Sequence, residues 1–261
     1  MFTSFTYLKY ETSDRVAFIT LNRPDKRNAL NFDVISELKR AFSKAEQDSD
    51  VKVVILNAEG KAFCAGADLE YLQKLTKFTY NENLSDSQHL KELLFQIYSL
   101  NKIVVAQVQG HAIAGGAGLV SVCDFAFSVP EATFGYTEVK LGFIPAIVSV
   151  FLLRKIGEGK VRELLLSGSL ISAEKALQFN LINRVISAEK LEEETLNFAR
   201  EIAETTSSHS IALTKELCVK VQDMTLGEGL SFACQLNAKM RETDDFKRGV
   251  GAFLRKETPK W

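Results

Sequence analysis

The stretch His111-Ala-Ile-Ala-Gly-Gly-Ala-Gly-Leu-Val-Ser-Val-Cys-Asp124 is followed fourteen residues later by a lone carboxylate, Glu138. Ahead of it, Ile103-Val-Val-Ala-Gln-Val-Gln109 is apolar and β-branched, which predicts a buried strand, and Gly115, Gly116 and Gly118 open a small-residue run that turns amphipathic. The pattern is strand, turn, helix. Glycines at such a junction let a ligand approach the main chain, and the first N–H groups of the helix have no intrahelical partner and lie at its positive end. That place suits an anion or a developing oxyanion, with Glu138 as a candidate proton-transfer group. Close packing of a helix on a sheet would ask for the same small residues, so the rest of the chain has to decide.

The elements that must position these residues follow from periodicity. Phe5 to Glu11 and Arg15 to Asn22 predict two strands joined through Thr12-Ser13-Asp14. Arg23 to Asn28 is a loop with Pro24 as breaker and three cations, Arg23, Lys26 and Arg27, which by itself reads equally well as a solvated turn. Asn31 can cap a helix carrying Val34, Ile35, Leu38, Ala41, Phe42 and Ala45, and Val51 to Leu56 is the next strand, so a parallel crossover is expected. The small-residue run Asn57 to Leu69 forms a second strand-to-helix turn, with Asp68 in the first turn of a short helix. Thr76 to Ser87 lacks a period and is expected to be a loop, after which Leu90, Leu93, Leu94, Ile97 and Leu100 predict a helix. Phe125 to Ser128 and Thr133 to Glu138 read as strands, and a helix follows Pro145 and closes at Gly157. Ser172 caps another helix, Leu181 to Ile186 is a last strand, and long amphipathic helices follow Ser187, the final helical stretch running from Gly227 to Lys256.

The 261 residues are 46% hydrophobic and 25% charged, the balance of a globular protein with a sizeable core. A formal charge of −1 gives no reason to expect nucleic acid or an acidic membrane surface. Cys64, Cys123, Cys218 and Cys234 are scattered, with neither metal-ligand spacing nor a disulfide framework, and His89, His111 and His209 do not cluster. No metal site is expected. The N-terminal stretch lacks the basic-then-apolar pattern of a signal peptide and no apolar run is long enough to span a bilayer, so a cytoplasmic protein is expected.

Five motifs, in order along nearly the whole chain, carry a resemblance: Leu21-Asn-Arg-Pro-Asp-Lys-Arg-Asn-Ala-Leu30, Ala62-Phe-Cys-Ala-Gly-Ala-Asp68, Gly110-His-Ala-Ile-Ala-Gly-Gly-Ala-Gly118 with Cys123-Asp124, Phe134-Gly-Tyr-Thr-Glu-Val-Lys-Leu-Gly142 with Pro145, and Gly251-Ala-Phe-Leu-Arg-Lys256. The chain resembles the enoyl-CoA hydratase/isomerase (crotonase) superfamily. The resemblance implies an α/β fold, a crotonase-like spiral of ββα turns over residues 1–190, and a helical C-terminal trimerisation region over residues 191–261, giving a homotrimer or a hexamer of paired trimers. It implies an acyl-CoA substrate and no separate cofactor, coenzyme A being part of that substrate. It places the N–H groups of Ala67 and Gly115 around the thioester oxygen and Glu138 as acid/base. Lys26, Arg27 and Lys256, the last from a neighbouring subunit in some arrangements, would face the CoA phosphates, with the backbone of Ala65 and Leu69 near the adenine. Asp68, Gly116, Gly118, Tyr136 and Phe253 complete the expected lining, although Asp68 equally suits a helix cap.

Position 118 departs from the pattern. The family's hydratases carry two glutamates, one three residues beyond the oxyanion glycine and one at the place of Glu138; here the first is Gly118, which predicts a void beside the remaining carboxylate. Single-glutamate isomerases of the superfamily resemble this arrangement, and a further acid of dienoyl isomerases corresponds to Ala146. The segment from Phe134 to Pro145 is more similar to hydratases, including the methylglutaconyl type. The expectation is hydration of a 2-enoyl-CoA, with Δ3-Δ2-enoyl-CoA isomerisation as the first alternative and a non-catalytic acyl-CoA-binding protein as the second.

Overall fold

Each turn of the chain adds one strand to each of two sheets. The computed structural model describes residues 4–261, and the first three positions of the N-terminal stretch read above lie outside the described residues. Strands β1 (Leu8–Ser13) and β2 (Val16–Leu21) form a hairpin turning through Asp14 and Arg15, both at positive φ, as a tight two-residue turn requires. The Asn31 side chain accepts the Val34 N–H at 2.9 Å and starts α1 (Phe32–Gln47), which buries Val34, Ile35, Leu38, Ala41, Phe42 and Ala45 on one face.

Three ββα units follow. They are β3 (Val53–Ala58) and β4 (Ala62–Cys64) with α2 (Leu69–Leu75) and α3 (Tyr80–Ser99); β5 (Ile103–Val108) and β6 (His111–Ile113) with α4 (Gly115–Val122); and β7 (Phe125–Ser128) and β8 (Thr133–Gly135) with α5 (Ala146–Ile156). Helix α6 (Glu158–Ser167), β9 (Leu170–Ser172), α7 (Ala173–Gln178) and β10 (Arg184–Val185) complete the β/α part. One sheet has the order β1-β2-β3-β5-β7-β10, parallel except at β1, and the other β4-β6-β8-β9, parallel except at β9. Helix α4 is buried from Gly116 to Val122 against α3 and α5, so in place of the expected amphipathic pattern it carries small and apolar residues all round, apart from Ser121, whose hydroxyl donates to Gly118 O at 2.7 Å.

Four helices end the chain: α8 (Ala188–Thr205), α9 (Ser208–Lys220), α10 (Leu226–Arg241) and α11 (Asp244–Leu254). Helix α8 lies on β3 and β5, so the expected division between residues 190 and 191 falls inside a helix that covers the sheet. The stretch expected to run from Gly227 to Lys256 is interrupted where Thr243 caps α11. The expected loop from Thr76 to Ser87 is largely helix, because Thr79 and Glu82 form a reciprocal capping box that opens α3 at Tyr80. Its first turns are mostly exposed on every face, which is why they show no apolar period. Among the described residues no helix is long and apolar enough to cross a membrane.

Candidate active site

Ala67, Gly115 and Glu138 all lie just beyond the C-terminal ends of neighbouring parallel strands. Ala67 follows β4, Gly115 follows β6 and Glu138 follows β8. Adjacent strands are about 4.8 Å apart, so the second sheet delivers the three segments side by side along one edge. Ligand sites form at such carboxyl ends because the connections there diverge and leave main-chain groups free.

Two close approaches lock the first two segments together. Gly66 has φ +92°, and a Cβ built on it would lie 3.0 Å from Ala114 Cβ; one built on Gly116 would lie 2.3 Å from the Cys64 carbonyl oxygen. Leu30 joins the same assembly. Its N–H donates to Gly66 O at 2.7 Å and its carbonyl accepts the Asp68 N–H at 2.8 Å, a parallel bridge that brackets Ala67 and leaves the Ala67 N–H facing away from Leu30. The Leu30 Cδ1 lies 3.1 Å from where a Cβ of Gly115 would be. Gly115 is the first residue of α4, so its N–H has no intrahelical acceptor. Ahead of it Ala114 sits at φ 50°, ψ −119°, unusual for a residue with a side chain, held by its N–H to Gly135 O at 2.7 Å and by its carbonyl, which accepts the Gly118 N–H at 2.9 Å. Among the described residues neither the Ala67 nor the Gly115 N–H donates to a protein acceptor. Leu30 was not singled out by its sequence; its place at the end of the Leu21–Leu30 motif is the only signal it carries.

Glu138 does not end a strand, as the sequence suggested, but opens a 3-10 helix (Glu138–Leu141) closed by Gly142 in the left-handed region. Its Oε2 is buried with no hydrogen-bond partner among the described residues, and burial, partly offset by its own N–H, raises its pKa. An unpaired buried carboxylate oxygen has a cost that a catalytic base repays by holding its proton at a higher pH.

Two expectations about its neighbours are corrected. Gly118 leaves no void: a Cβ there would lie 2.5 Å from Val148 Cγ1, so the α5 side chain already occupies the space, and Gly118 itself is buried. Tyr136 is wholly buried and its hydroxyl donates to Ala117 O at 3.2 Å, so the phenol braces α4 against β8 and does not line an open pocket. Asp68 is likewise structural. Its Oδ1 accepts the Glu70 N–H at 3.0 Å to cap α2, and its Oδ2 pairs with Arg23 at 3.0 Å. Burial opposes its charge, but Arg23 and the N–H groups of Glu70 and Tyr71 outweigh that and hold the carboxyl below its usual pKa.

Arg23 and Asn28 shape the cationic loop. Arg23 donates to Ala29 O at 2.7 Å, and buried Asn28 accepts the Arg23 N–H and donates to Glu59 O and Ala62 O, each at 2.8 Å. The Ala65 N–H donates to Arg27 O at 3.0 Å, tying this loop to the segment that carries Ala67. Lys26 and Arg27 are thus presented on the surface beside the site, Lys26 paired with Glu70 at 2.7 Å, and Leu69 is exposed next to them. Gly116 serves packing through its approach to Cys64. Phe253 and Lys256 are not brought to this place within the chain. Both are exposed near the end of α11, whose Asp245 and Arg248 line a cavity with Arg15 and Lys52, at the strand ends opposite Ala67, Gly115 and Glu138.

The sequence matches the family profile described as "Enoyl-CoA hydratase/isomerase" over residues 11–261. It is 42% identical over 246 residues to a Thermus thermophilus protein named "Putative enoyl-CoA hydratase", covering 94% of this chain and 97% of that one. It is 31% identical over 255 residues to the (E)-benzylidenesuccinyl-CoA hydratase of Thauera aromatica, with 95% and 96% of the two chains covered. The crystal structure of an enoyl-CoA hydratase from Shewanella pealeana superposes with a TM-score of 0.93 at 30% identity, over 98% of this chain and 96% of that one. With the profile, the relatives and the two-sheet spiral in agreement, the chain belongs to the enoyl-CoA hydratase/isomerase family and is an enzyme of it.

Proposed function

We propose that the protein hydrates a 2-enoyl-CoA thioester, the Ala67 and Gly115 N–H groups holding the thioester oxygen as negative charge builds and Glu138 delivering and removing protons. The observation that carries this reading is the buried, unpartnered Glu138 Oε2, one strand along from Gly115 in the same sheet. Two donors aimed where an enolate oxygen develops stabilise the transition state more than the ground state. Lys26 and Arg27 suit the phosphates of the CoA tail, which extends away from the reacting end. The exposed apolar run Leu141, Phe143 and Ile144 after Glu138 supplies a surface for the acyl chain. The substrate set includes methylglutaconyl-CoA-like acids.

Isomerisation of a 3-enoyl-CoA is the second reading, favoured by Val148 over Gly118. With glycine packed against Val148 at 118, where the family's hydratases carry a second glutamate, one base that takes a proton from one carbon and returns it to another is sufficient. Crotonyl-CoA and a trans-3-enoyl-CoA offered in parallel decide. Hydration predicts turnover of crotonyl-CoA and loss of its enoyl absorbance; turnover of the 3-enoyl ester alone would replace hydration by isomerisation, and turnover of neither would overturn both. A homotrimer, in which Phe253 and Lys256 of one chain reach the site of the next, belongs to the same proposal.

A further inference from the structure

At the strand ends opposite the active site, three cations stand in line. Arg15, Lys52 and Lys102 each immediately precede a strand, β2, β3 and β5, and these strands are parallel neighbours in register at Val16, Val53 and Ile103. They line a cavity of about 500 Å³ together with Arg248 from α11. Glu46 and Asp245 are the carboxylates of its wall, against these four cations. Lys52 and Lys102 are only 3% and 9% exposed, yet among the described residues neither has an Asp or Glu carboxylate within ion-pair distance; Arg248 has one, Asp245, at 3.9 Å.

Main-chain carbonyls satisfy part of this. Lys52 donates to Ala203 O and Thr206 O at 2.8 Å each, Lys102 to Asp48 O and to Val51 O at 2.7 Å, and Arg15 to Trp261 O. These contacts cap the ends of α8 and α1 and leave each ammonium a third N–H. Burial, then the neighbouring Arg15, pushes Lys52 down to about 8, with Asp245 offsetting only part of it; burial likewise lowers Lys102, against Asp48, Glu46 and Asp50, which raise it. Buried charge is ordinarily paired.

We propose that this cavity is a binding site for a doubly charged oxyanion of the phosphate type, held by Arg15, Lys52, Lys102 and Arg248 and separate from the acyl-CoA site. Arginine forks suit phosphate oxygens, and two free lysine N–H donors complete the cradle. The reading does not depend on the proposed reaction.

The test measures the thermal midpoint of the purified protein against inorganic phosphate and, in parallel, glycerol phosphate, with NaCl holding ionic strength constant so that screening is unchanged. A saturable rise is expected with at least one. The tighter of the two tells whether free phosphate or a phosphate ester is the natural occupant. Arg15→Gln/Arg248→Gln should weaken the apparent Kd at least tenfold while leaving the circular dichroism and acyl-CoA turnover unchanged; Arg248→Gln alone, at an exposed position, serves if the double variant is unstable. Lys26→Ala, at the other end of the sheet, should keep the rise. No saturable rise, a rise that survives the double variant, or one abolished by Lys26→Ala would each overturn the proposal, the last by assigning the anion to the CoA site.

Discussion

Glu138 combines a buried oxygen with a raised pKa, and the two effects predict opposite changes in one variant. Glu138→Gln should lower kcat by at least the roughly 10²-fold credited to a general acid/base, with little change in KM. Because its folded pKa lies above the unfolded value, ionising Glu138 costs stability as pH rises through the carboxylate range. The amide carries no such penalty, so the variant's melting temperature should exceed the parent's at pH 7 and converge with it toward pH 4. Thermal scans at the two pH values check the sign; a variant less stable at pH 7 would show that the ionised carboxylate is well solvated. Gly118 gives a second residue-scale prediction. Gly118→Glu gains about 1 kcal/mol of helix propensity but meets Val148, and overpacking costs about 1–3 kcal/mol before a buried carboxylate is counted. The single variant should melt lower than the parent, and adding Val148→Ala should restore part of the loss.

Among the elements, the turn into α4 was the most legible feature of the sequence. Its glycines announced a close main-chain approach, and the structure supplies the partners, Cys64 at Gly116 and Leu30 at Gly115. What periodicity could not convey was contact between segments far apart in the chain. Val148, thirty residues beyond Gly118, fills the space that glycine alone suggested was empty, and the phenol of Tyr136 turns inward to a carbonyl nineteen residues earlier. The start of α3 was missed for a different reason: a helix exposed all round has no apolar stripe, although its Thr79 and Glu82 cap was present to be read. Ala114 supplies the prediction at this scale. A side chain at its positive φ costs on the order of 1 kcal/mol, so Ala114→Gly should raise the melting temperature by about 2 °C or more. Turnover should change little, because the hydrogen bonds to Gly135 O and from the Gly118 N–H still fix the peptide. Calorimetry with steady-state kinetics tests both halves.

Across the whole molecule, the C-terminal helices begin where α8 leaves the sheet, and α11 carries Phe253 and Lys256 away from the chain's own site. If a neighbouring chain receives them, Lys256→Ala should raise KM for CoA esters with kcat preserved, as expected when binding shared by ground and transition states is lost. Dilution below the assembly concentration should raise the parent's KM in the same way and leave the variant's almost unmoved. An unchanged KM in Lys256→Ala would remove the residue from the site.

Leu30, Ala67, Gly115 and Glu138 come from four stretches spread over more than a hundred residues, and Leu30 touches two of the other three segments. Such a site exists only when distant parts of the chain have all docked, since closing long loops comes before the contacts that reward it. In a urea titration, turnover should therefore vanish at a lower concentration than helical circular dichroism, as the strand ends loosen ahead of the buried interior. Coincident loss of both signals would mean that the edge and the interior melt as one cooperative unit.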